Sequence, residues 1–229
     1  MGSFGTFGLI WLFSMLLGSS VGRLVIAVLV LWWLDNRYFG LLDSLVKPLR
    51  RAQRIAGLKR SIEINPSDVR SMVELGDHYL HANNPRTAAD YLERAISRGE
   101  DGARALYLLG GAQVQLGRHD EGRKNLETAL AQNAEIAFGE PYLYLLESLF
   151  ATEGANADRL SELVEALEPF DSVEVLTRAG RICAAAGRKD LARRLLQDAV
   201  HNYGYIPRKM RRRARRWLVR ARLSLLILG

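Results

Sequence analysis

The sequence predicts an all-α protein with an N-terminal transmembrane helix, a short solenoid of about four helical hairpins, and a C-terminal basic amphipathic helix. Three observations support this fold class. Residues 4–34 carry one charge, a glycine-centred motif recurs about every 34 residues, and residues 208–222 carry nine basic and no acidic side chains. The predicted segments are 1–42 for the membrane segment and its interfacial belt, 43–60 for a basic juxtamembrane helix, 61–205 for the repeats and 206–229 for the last helix.

Charge is distributed unevenly along the chain. The net charge is +7, but residues 61–207 are acidic, with a net charge of −8, and the basic residues concentrate near the two apolar ends. Basic clusters beside apolar segments favour contact with anionic lipid. Cys183 is the single cysteine, so no internal disulfide can form, which fits a reducing compartment.

The N-terminal apolar stretch is long enough to span a bilayer, since a spanning helix needs about 20 residues. No Lys or Arg precedes Arg23, which argues against a cleaved signal peptide. The basic stretch KPLRRAQRIAGLKR at 47–60 follows the apolar one. The positive-inside rule therefore predicts a single-pass protein with its N-terminus outside and the repeat domain in the cytoplasm.

Arg23 interrupts the apolar stretch beside a stripe of small residues formed by Ser14, Gly18 and Gly22. Small residues four apart let a second helix approach closely, and a buried charge needs a partner. One interpretation is therefore that these four residues bind another membrane helix. The alternative is that Arg23 ends a shorter span over residues 4–22.

The middle of the chain contains an internal repeat. MVELGDHYL at 72–80 reappears as LYLLGGAQV at 106–114 and as LTRAGRICA at 176–184. The copy expected between the last two is LYLLESLFATEG at 143–154, with Glu147 in place of the glycine. Apolar residues recur at helical spacing in each copy, and Pro85 is suited to open a second helix, so each copy predicts a helical hairpin.

This pattern resembles the tetratricopeptide repeat family. The matching features are Leu75-Gly76, Leu109-Gly110, the small residues of the second helices, and a closing proline at Pro66. The resemblance covers about residues 61–205 and implies a stacked solenoid that binds protein partners. In general layout the chain is similar to bacterial membrane-anchored members of this family that act in envelope assembly.

The resemblance also implies that the first helix of each repeat lines a concave groove. Mixed aromatic and charged side chains there suit an extended or helical peptide, and a merely solvated face gives the same pattern. The residues expected in the groove are Arg70, Asp77, His81, Arg104, Tyr107, Gln115, Tyr144 and Arg181. The paired Lys and Asn that clamp a C-terminal carboxylate in chaperone-binding members are absent.

Catalytic and metal-binding patterns do not stand out. The four histidines give one short-range pair, His78 and His81, which supplies at most two ligands. GGAQVQLGRH at 110–119 lacks the ending of a phosphate-binding loop. We therefore expect no enzyme activity, cofactor, metal or small-molecule substrate.

The basic tail admits three interpretations. At helical spacing its apolar residues form one stripe, Met210, Ala214, Trp217, Leu218, Ala221, Leu225 and Leu228, as in a helix lying on a membrane. The residues expected at that surface are Arg208, Lys209, Arg211, Arg212, Arg213, Arg215, Arg216, Trp217, Arg220 and Arg222. The stripe could instead cap the last repeat, which is compatible with lipid contact. Nucleic acid ranks third, because a phosphate-binding arm has no use for LSLLIL at 223–228.

Together these features predict a noncatalytic membrane-anchored adaptor or accessory subunit. Its expected partners are an integral-membrane protein and anionic lipid, with nucleic acid disfavoured. Two alternatives remain: a repeat chaperone of secretion or cytochrome maturation that faces the periplasm, and a membrane tether for nucleic acid.

Overall fold

The computed structural model describes Leu24, residues 41–152 and residues 156–228. The chain divides into two compact units, Met1–Gly57 and Leu58–Gly229. The predicted spanning segment, including Ser14, Gly18, Gly22 and Arg23, lies outside the described residues apart from Leu24. Within the described part, no helix combines the length and apolar character that crossing a membrane requires.

The basic helix predicted over 43–60 is longer in the structure. Helix α1 spans Leu41–Ile64 and includes the boundary between the two units. In the second unit its C-terminal turn is fixed by Ser61, which donates a hydrogen bond to Asp68 over 2.7 Å. Asp68 also caps the next helix by accepting from the Ser71 backbone N–H.

Four helical hairpins follow, as predicted. The first is α2 (Val69–Leu80) and α3 (Pro85–Ile96), and the second is α4 (Ala103–Gln115) and α5 (His119–Gln132). The third is α6 (Glu140–Thr152) and α7 (Ala157–Glu165), and the fourth is α8 (Val173–Ala185) and α9 (Lys189–Asn202). The last helix, α10, spans Arg211–Leu228. The described residues contain helices, short 3₁₀ turns and loops, and no β-strand.

The hairpin turns follow from local sequence. Asn84 caps α3 with its side chain, and Pro85 occupies the first turn, where its missing N–H costs nothing. Gly117 and Gly187 follow α4 and α8 with φ of +79° and +78°, a conformation that glycine adopts without strain. Each glycine therefore ends the first helix of its hairpin.

Glycines at the repeat motif let the two helices of a hairpin approach closely. A Cβ on Gly110 would lie 2.7 Å from Leu126 Cγ and 2.8 Å from the Gly122 backbone oxygen. A Cβ on Gly122 would likewise lie 2.8 Å from the Gly110 backbone oxygen, so the two glycines together allow the close α4–α5 contact. Leu126 is fully buried at this crossing, and Leu196 is buried against Gly180 in the fourth hairpin.

The third hairpin departs from this pattern. Glu147 replaces the glycine, and its side chain is half-buried. The room that glycine leaves for a close crossing of the two helices is therefore missing in this hairpin. The second helix of this hairpin, α7, has nine residues, compared with 12 to 14 in the others. The preceding turn, Ile136–Gly139, holds Ala137 and Phe138 at φ of 50° and 52°, an uncommon conformation for residues with a side chain.

Helix α10 packs against α8 and α9, where a further repeat would begin. Trp217, Leu218 and Ala221 are buried there. The capping interpretation of the apolar stripe is therefore confirmed for its central residues. Solenoids need such a helix because the last repeat otherwise leaves an apolar face in water.

Candidate functional site: the inner face of the repeats

The first helices of the hairpins form the inner layer of the solenoid. Helix α4 contacts α2 and α6, and α6 contacts α8, whereas the second helices do not pack against one another to the same extent. The closer spacing of the first helices places them on the concave side of the stack. We call the surface formed by α2, α4, α6 and α8 the inner face.

A first polar cluster links α2 to α4 on the inner face. Arg104 Nη2 donates to Asp77 Oδ2 over 2.7 Å, and His81 Nδ1 lies 2.7 Å from Asp77 Oδ1. Partial burial opposes ionisation of Asp77, but hydrogen bonds from His81 and Arg104 outweigh it and hold the Asp77 pKa below its usual range. The same hydrogen bond to Asp77 raises the pKa of His81 to about 9. His81 is therefore cationic at neutral pH.

A second cluster links α4, α6 and α8 through Glu140. Tyr107 Oη donates to Glu140 Oε2 over 2.7 Å, and Arg178 Nη1 donates to Glu140 Oε1 over 2.8 Å. Burial, together with the negative charge of Glu140, raises the pKa of Tyr107, so the phenol keeps its proton and acts as the donor. Both oxygens of the carboxylate are satisfied by residues from neighbouring helices.

The two clusters together form a polar ladder along the inner face. Each neighbouring pair of inner helices shares one bridge: Asp77–Arg104 joins α2 to α4, Tyr107–Glu140 joins α4 to α6, and Glu140–Arg178 joins α6 to α8. We call this set of three bridges the inner-face ladder. Hydrogen bonds to charged groups are stronger than neutral ones, so the ladder fixes the spacing of the inner helices.

Aromatic side chains fill the space beneath the ladder. The rings of Tyr107 and Tyr144 lie 6.4 Å apart between centroids, and both are buried. Gly111 makes room for this contact, because a Cβ at that position would lie 2.8 Å from the Tyr144 ring. Glu147 lies one turn further along α6, and its burial raises the pKa of its carboxyl above the usual range. The middle of the inner face therefore combines a rigid aromatic floor with an acidic group.

The predicted groove residues separate into two sets. Asp77, Arg104, Tyr107 and Tyr144 belong to the ladder or its aromatic floor, and His81 contacts the ladder residue Asp77. The remaining three lie outside it: Arg70 is exposed and lies 3.9 Å from Glu74, and Gln115 and Arg181 are exposed. Their role in binding remains a prediction.

Two ladder residues, Glu140 and Arg178, were not predicted from the sequence. Each lies about one repeat from a predicted groove residue, Glu140 33 positions after Tyr107 and Arg178 34 positions after Tyr144. The spacing of one repeat could therefore identify both residues from the sequence. Glu147 occupies the position of the motif glycine, and the same repeat register places it on the inner face.

The residues predicted to contact the membrane surface are not all exposed in the tail. Trp217 is 8% exposed and packs against the repeats, with the Arg216 and Arg220 guanidinium groups 5.2 and 4.7 Å from its ring centre. The expectation that this ring reaches lipid headgroups is corrected, because the capping contact already covers the ring. The basic residues of 208–222 are exposed, apart from the half-buried Arg211.

Two observations concern metal ligands and the thiol in the part of the chain that the structure describes. No group of three or more His, Cys, Asp and Glu side chains there is arranged to hold a metal ion. Cys183 is fully buried, and burial raises its thiol pKa to about 11, which keeps it protonated and unreactive. Cys183 therefore fills the core of the fourth hairpin.

The fold and the inner face define a helical repeat scaffold, a class that acts by protein–protein contact. Residues 65–137 match the family profile for the tetratricopeptide repeat. This match, with the four stacked hairpins, supports the resemblance to that family seen in the sequence. No curated protein matches the chain.

Solved structures with the same fold extend over most of the chain. A thermophilic TPR protein of Thermus thermophilus, TTC0263, is similar with a TM-score of 0.55 and 17% identity, covering 81% of this chain and 99% of that one. The MamA protein is similar with a TM-score of 0.52 and 20% identity, covering 74% of this chain and 92% of that one. At these identities the likeness concerns the fold.

Proposed function

We propose that this protein is a noncatalytic, membrane-anchored repeat scaffold that assembles or stabilises an integral-membrane protein complex. The inner face binds a polar segment of a protein partner, and the predicted N-terminal span holds the scaffold at the bilayer, with the repeats in the cytoplasm. Within the bilayer, Arg23 and the stripe of Ser14, Gly18 and Gly22 pack against a partner helix.

The observation that carries the proposal is the inner-face ladder. Charged side chains from four successive inner helices are held in fixed positions above a buried aromatic floor. Because these side chains are already ordered, less conformational entropy is lost when a partner binds. Such preorganisation is useful for recognition and unnecessary for a solvated outer surface.

The charges available to a partner are of both signs. Glu147 is half-buried and lies near the Arg178 guanidinium and the Glu140 carboxylate. Its burial disfavours the charged form of its carboxyl group. A basic side chain of the partner placed beside Glu147 would relieve this. Arg181, exposed on α8, supplies a positive group for an acidic residue of the same segment.

Site-specific photocrosslinking tests the proposal. A photoreactive amino acid is placed at Gln115 or Arg181 on the inner helices, and at Asp90 or Lys124 on the outer helices as matched exposed controls. In native membranes the two inner positions should yield the same discrete adduct with an integral-membrane protein, and the outer positions should not. Equal adducts from both faces, or none from the inner face, would refute the proposed binding surface.

Membrane attachment is tested separately. The full chain should remain with the membrane fraction after an alkaline carbonate wash, because a spanning helix resists extraction. Release of the protein by that wash would show that residues 1–42 do not anchor it. Crosslinking from position 23 to a second membrane protein would support the packing role of the small-residue stripe, and its absence would favour the shorter span.

A further inference from the structure

Helix α10 has a second apolar surface, opposite the one that caps the solenoid. Val219 and Leu223 are 49% and 54% exposed, and Leu226 and Ile227 are 79% and 85% exposed. At 100° per residue these four side chains share one side of the helix, while Trp217, Leu218 and Ala221 are buried on other sides. A contiguous exposed apolar surface of this kind marks an interaction site.

The same side of α10 is basic in its first half. Continuing the helical spacing backwards from Val219 places Arg212, Arg215 and Arg216 on this side, and all three are exposed. The outer side of α10 therefore changes along its length, from arginine near Arg211 to Leu and Ile near Leu228. We call it the outer stripe, and it consists of Arg212, Arg215, Arg216, Val219, Arg222, Leu223, Leu226 and Ile227.

The helix is held by hydrogen bonds to the preceding connecting segment at its start and to α9 at its end, so the outer stripe stays exposed. At its start, Arg211 donates to the backbone oxygens of Ile206 and Gly204 over 2.8 and 2.9 Å. At its end, Arg193 of α9 donates to the Leu228 backbone oxygen over 3.1 Å. A ligand of α10 therefore meets the outer stripe and has no need to displace the cap.

We infer that the outer stripe inserts obliquely into an anionic bilayer. Leu223, Leu226 and Ile227 enter the acyl boundary, and the arginines of the preceding turns lie among the lipid phosphates. The charge of residues 208–222, nine basic and no acidic side chains, complements such a surface. The apolar half distinguishes lipid from nucleic acid, which offers phosphate but no apolar phase for exposed Leu and Ile.

This inference rests on the proposed membrane attachment and deepens it, because it assigns the contact to the side of α10 opposite the predicted stripe. With the N-terminal span it gives the scaffold two attachment points. Two contacts on one bilayer reinforce each other by raising the effective concentration of the second.

A fluorescent probe on the outer stripe tests the contact. In the full chain, Leu226→Cys is labelled with the polarity-sensitive fluorophore NBD. Native Cys183 does not compete, since it is buried with a raised thiol pKa. The chain is reconstituted into vesicles of phosphatidylcholine alone, or with one quarter phosphatidylglycerol. The matched control carries the probe at Asp90→Cys, an exposed position on outer helix α3.

The expected result is a blue shift of the probe at position 226 in the anionic vesicles, and quenching of roughly half its emission by chain-brominated lipid, since interfacial helices lie about 5–10 Å into the headgroup region. The probe at position 90 should show neither. Replacing Arg215 and Arg222, two exposed residues of the outer stripe, with Gln should reduce the quenching severalfold and leave melting unchanged.

Three outcomes would overturn the inference. Equal signals at positions 226 and 90 would exclude a specific contact, and an unquenched probe at position 226 in protein that floats with the vesicles would exclude insertion while leaving the anchor intact. A blue shift produced equally by duplex DNA would assign the outer stripe to nucleic acid. Protein that fails to float at all would instead contradict the proposed function.

Discussion

Replacing Glu140 with Gln removes the central bridge of the inner-face ladder. The carboxylate is 18% exposed and accepts from Tyr107 and from Arg178, whose side chain is 29% exposed. The amide oxygen of Gln can still accept from Tyr107. It cannot neutralise Arg178, whose mostly buried charge loses its hydrogen-bonded carboxylate partner.

The expected cost follows from this geometry. Hydrogen bonds to charged groups contribute about 1.5–3 kcal/mol, and the Glu140→Gln variant loses one of them, for a cost of about 2 kcal/mol. For a chain of this size each kcal/mol lowers the melting temperature by about 2–4 °C, so we expect a fall of about 4–8 °C. Circular dichroism of the full chain in mild detergent measures it.

A matched control separates the ladder from ordinary surface ion pairs. Glu168 pairs with Arg194 over 3.0 Å, but the two side chains are 59% and 64% exposed. Exposed pairs contribute about 1 kcal/mol or less, so Glu168→Gln should lower the melting temperature by a few degrees at most. If Glu140→Gln lost no more stability than Glu168→Gln, the ladder would not hold the inner helices together.

Three further predictions concern packing, charge and thiol reactivity. Gly110→Ala should destabilise the protein by about 1–3 kcal/mol in denaturant melts because its Cβ meets backbone, while Gly57→Ala, with open space around it, should be neutral or slightly stabilising. The contact with Asp77 raises the pKa of His81 from its usual 6.5 to about 9. The stability that protonated His81 contributes is therefore complete below pH 6.5 and is lost as the pH rises through 9. Imidazole resonances followed by NMR should show that titration, and Asp77→Asn should return it towards pH 6.5; an unchanged titration would contradict the assigned contact. Cys183 should react with iodoacetamide only after unfolding, and rapid labelling of the native protein would contradict its burial.

The hairpins could be predicted from the sequence because their signals are local. A Leu-Gly pair, helical spacing of apolar residues and a stop residue lie within one repeat, as in Leu109-Gly110 followed by Gly117. Each signal has a direct physical cause, since the glycine faces a leucine of the second helix and the turn residue takes a positive φ. The boundary of α1 differs from the prediction, because the helix continues to Ile64, beyond residue 60.

The inner-face ladder was harder to predict because it joins residues more than 25 positions apart. Asp77, Tyr107 and Arg104 were recognised by their place on the first helices. Glu140 precedes the recognisable LYLLE motif, and its two donors come from helices on either side. Such contacts depend on how neighbouring repeats are offset, which varies with the length of the third hairpin.

The sequence pattern also could not predict the different environments of the two sides of α10. Its apolar residues form two surfaces, and helical spacing alone does not say which one the solenoid covers. For the stripe through Trp217, the sequence pattern favours lipid over the cap. The contacts of α10 with α8 and α9 reverse that order for Trp217 and leave the outer stripe exposed.

Hydrogen–deuterium exchange of the full chain, alone and bound to the membrane partner captured by crosslinking, tests the central claim most directly. The account predicts slower amide exchange in the inner helices α2, α4, α6 and α8 on binding, with the outer helices α3, α5, α7 and α9 unchanged. Protection of the outer helices with an unchanged inner face would contradict it.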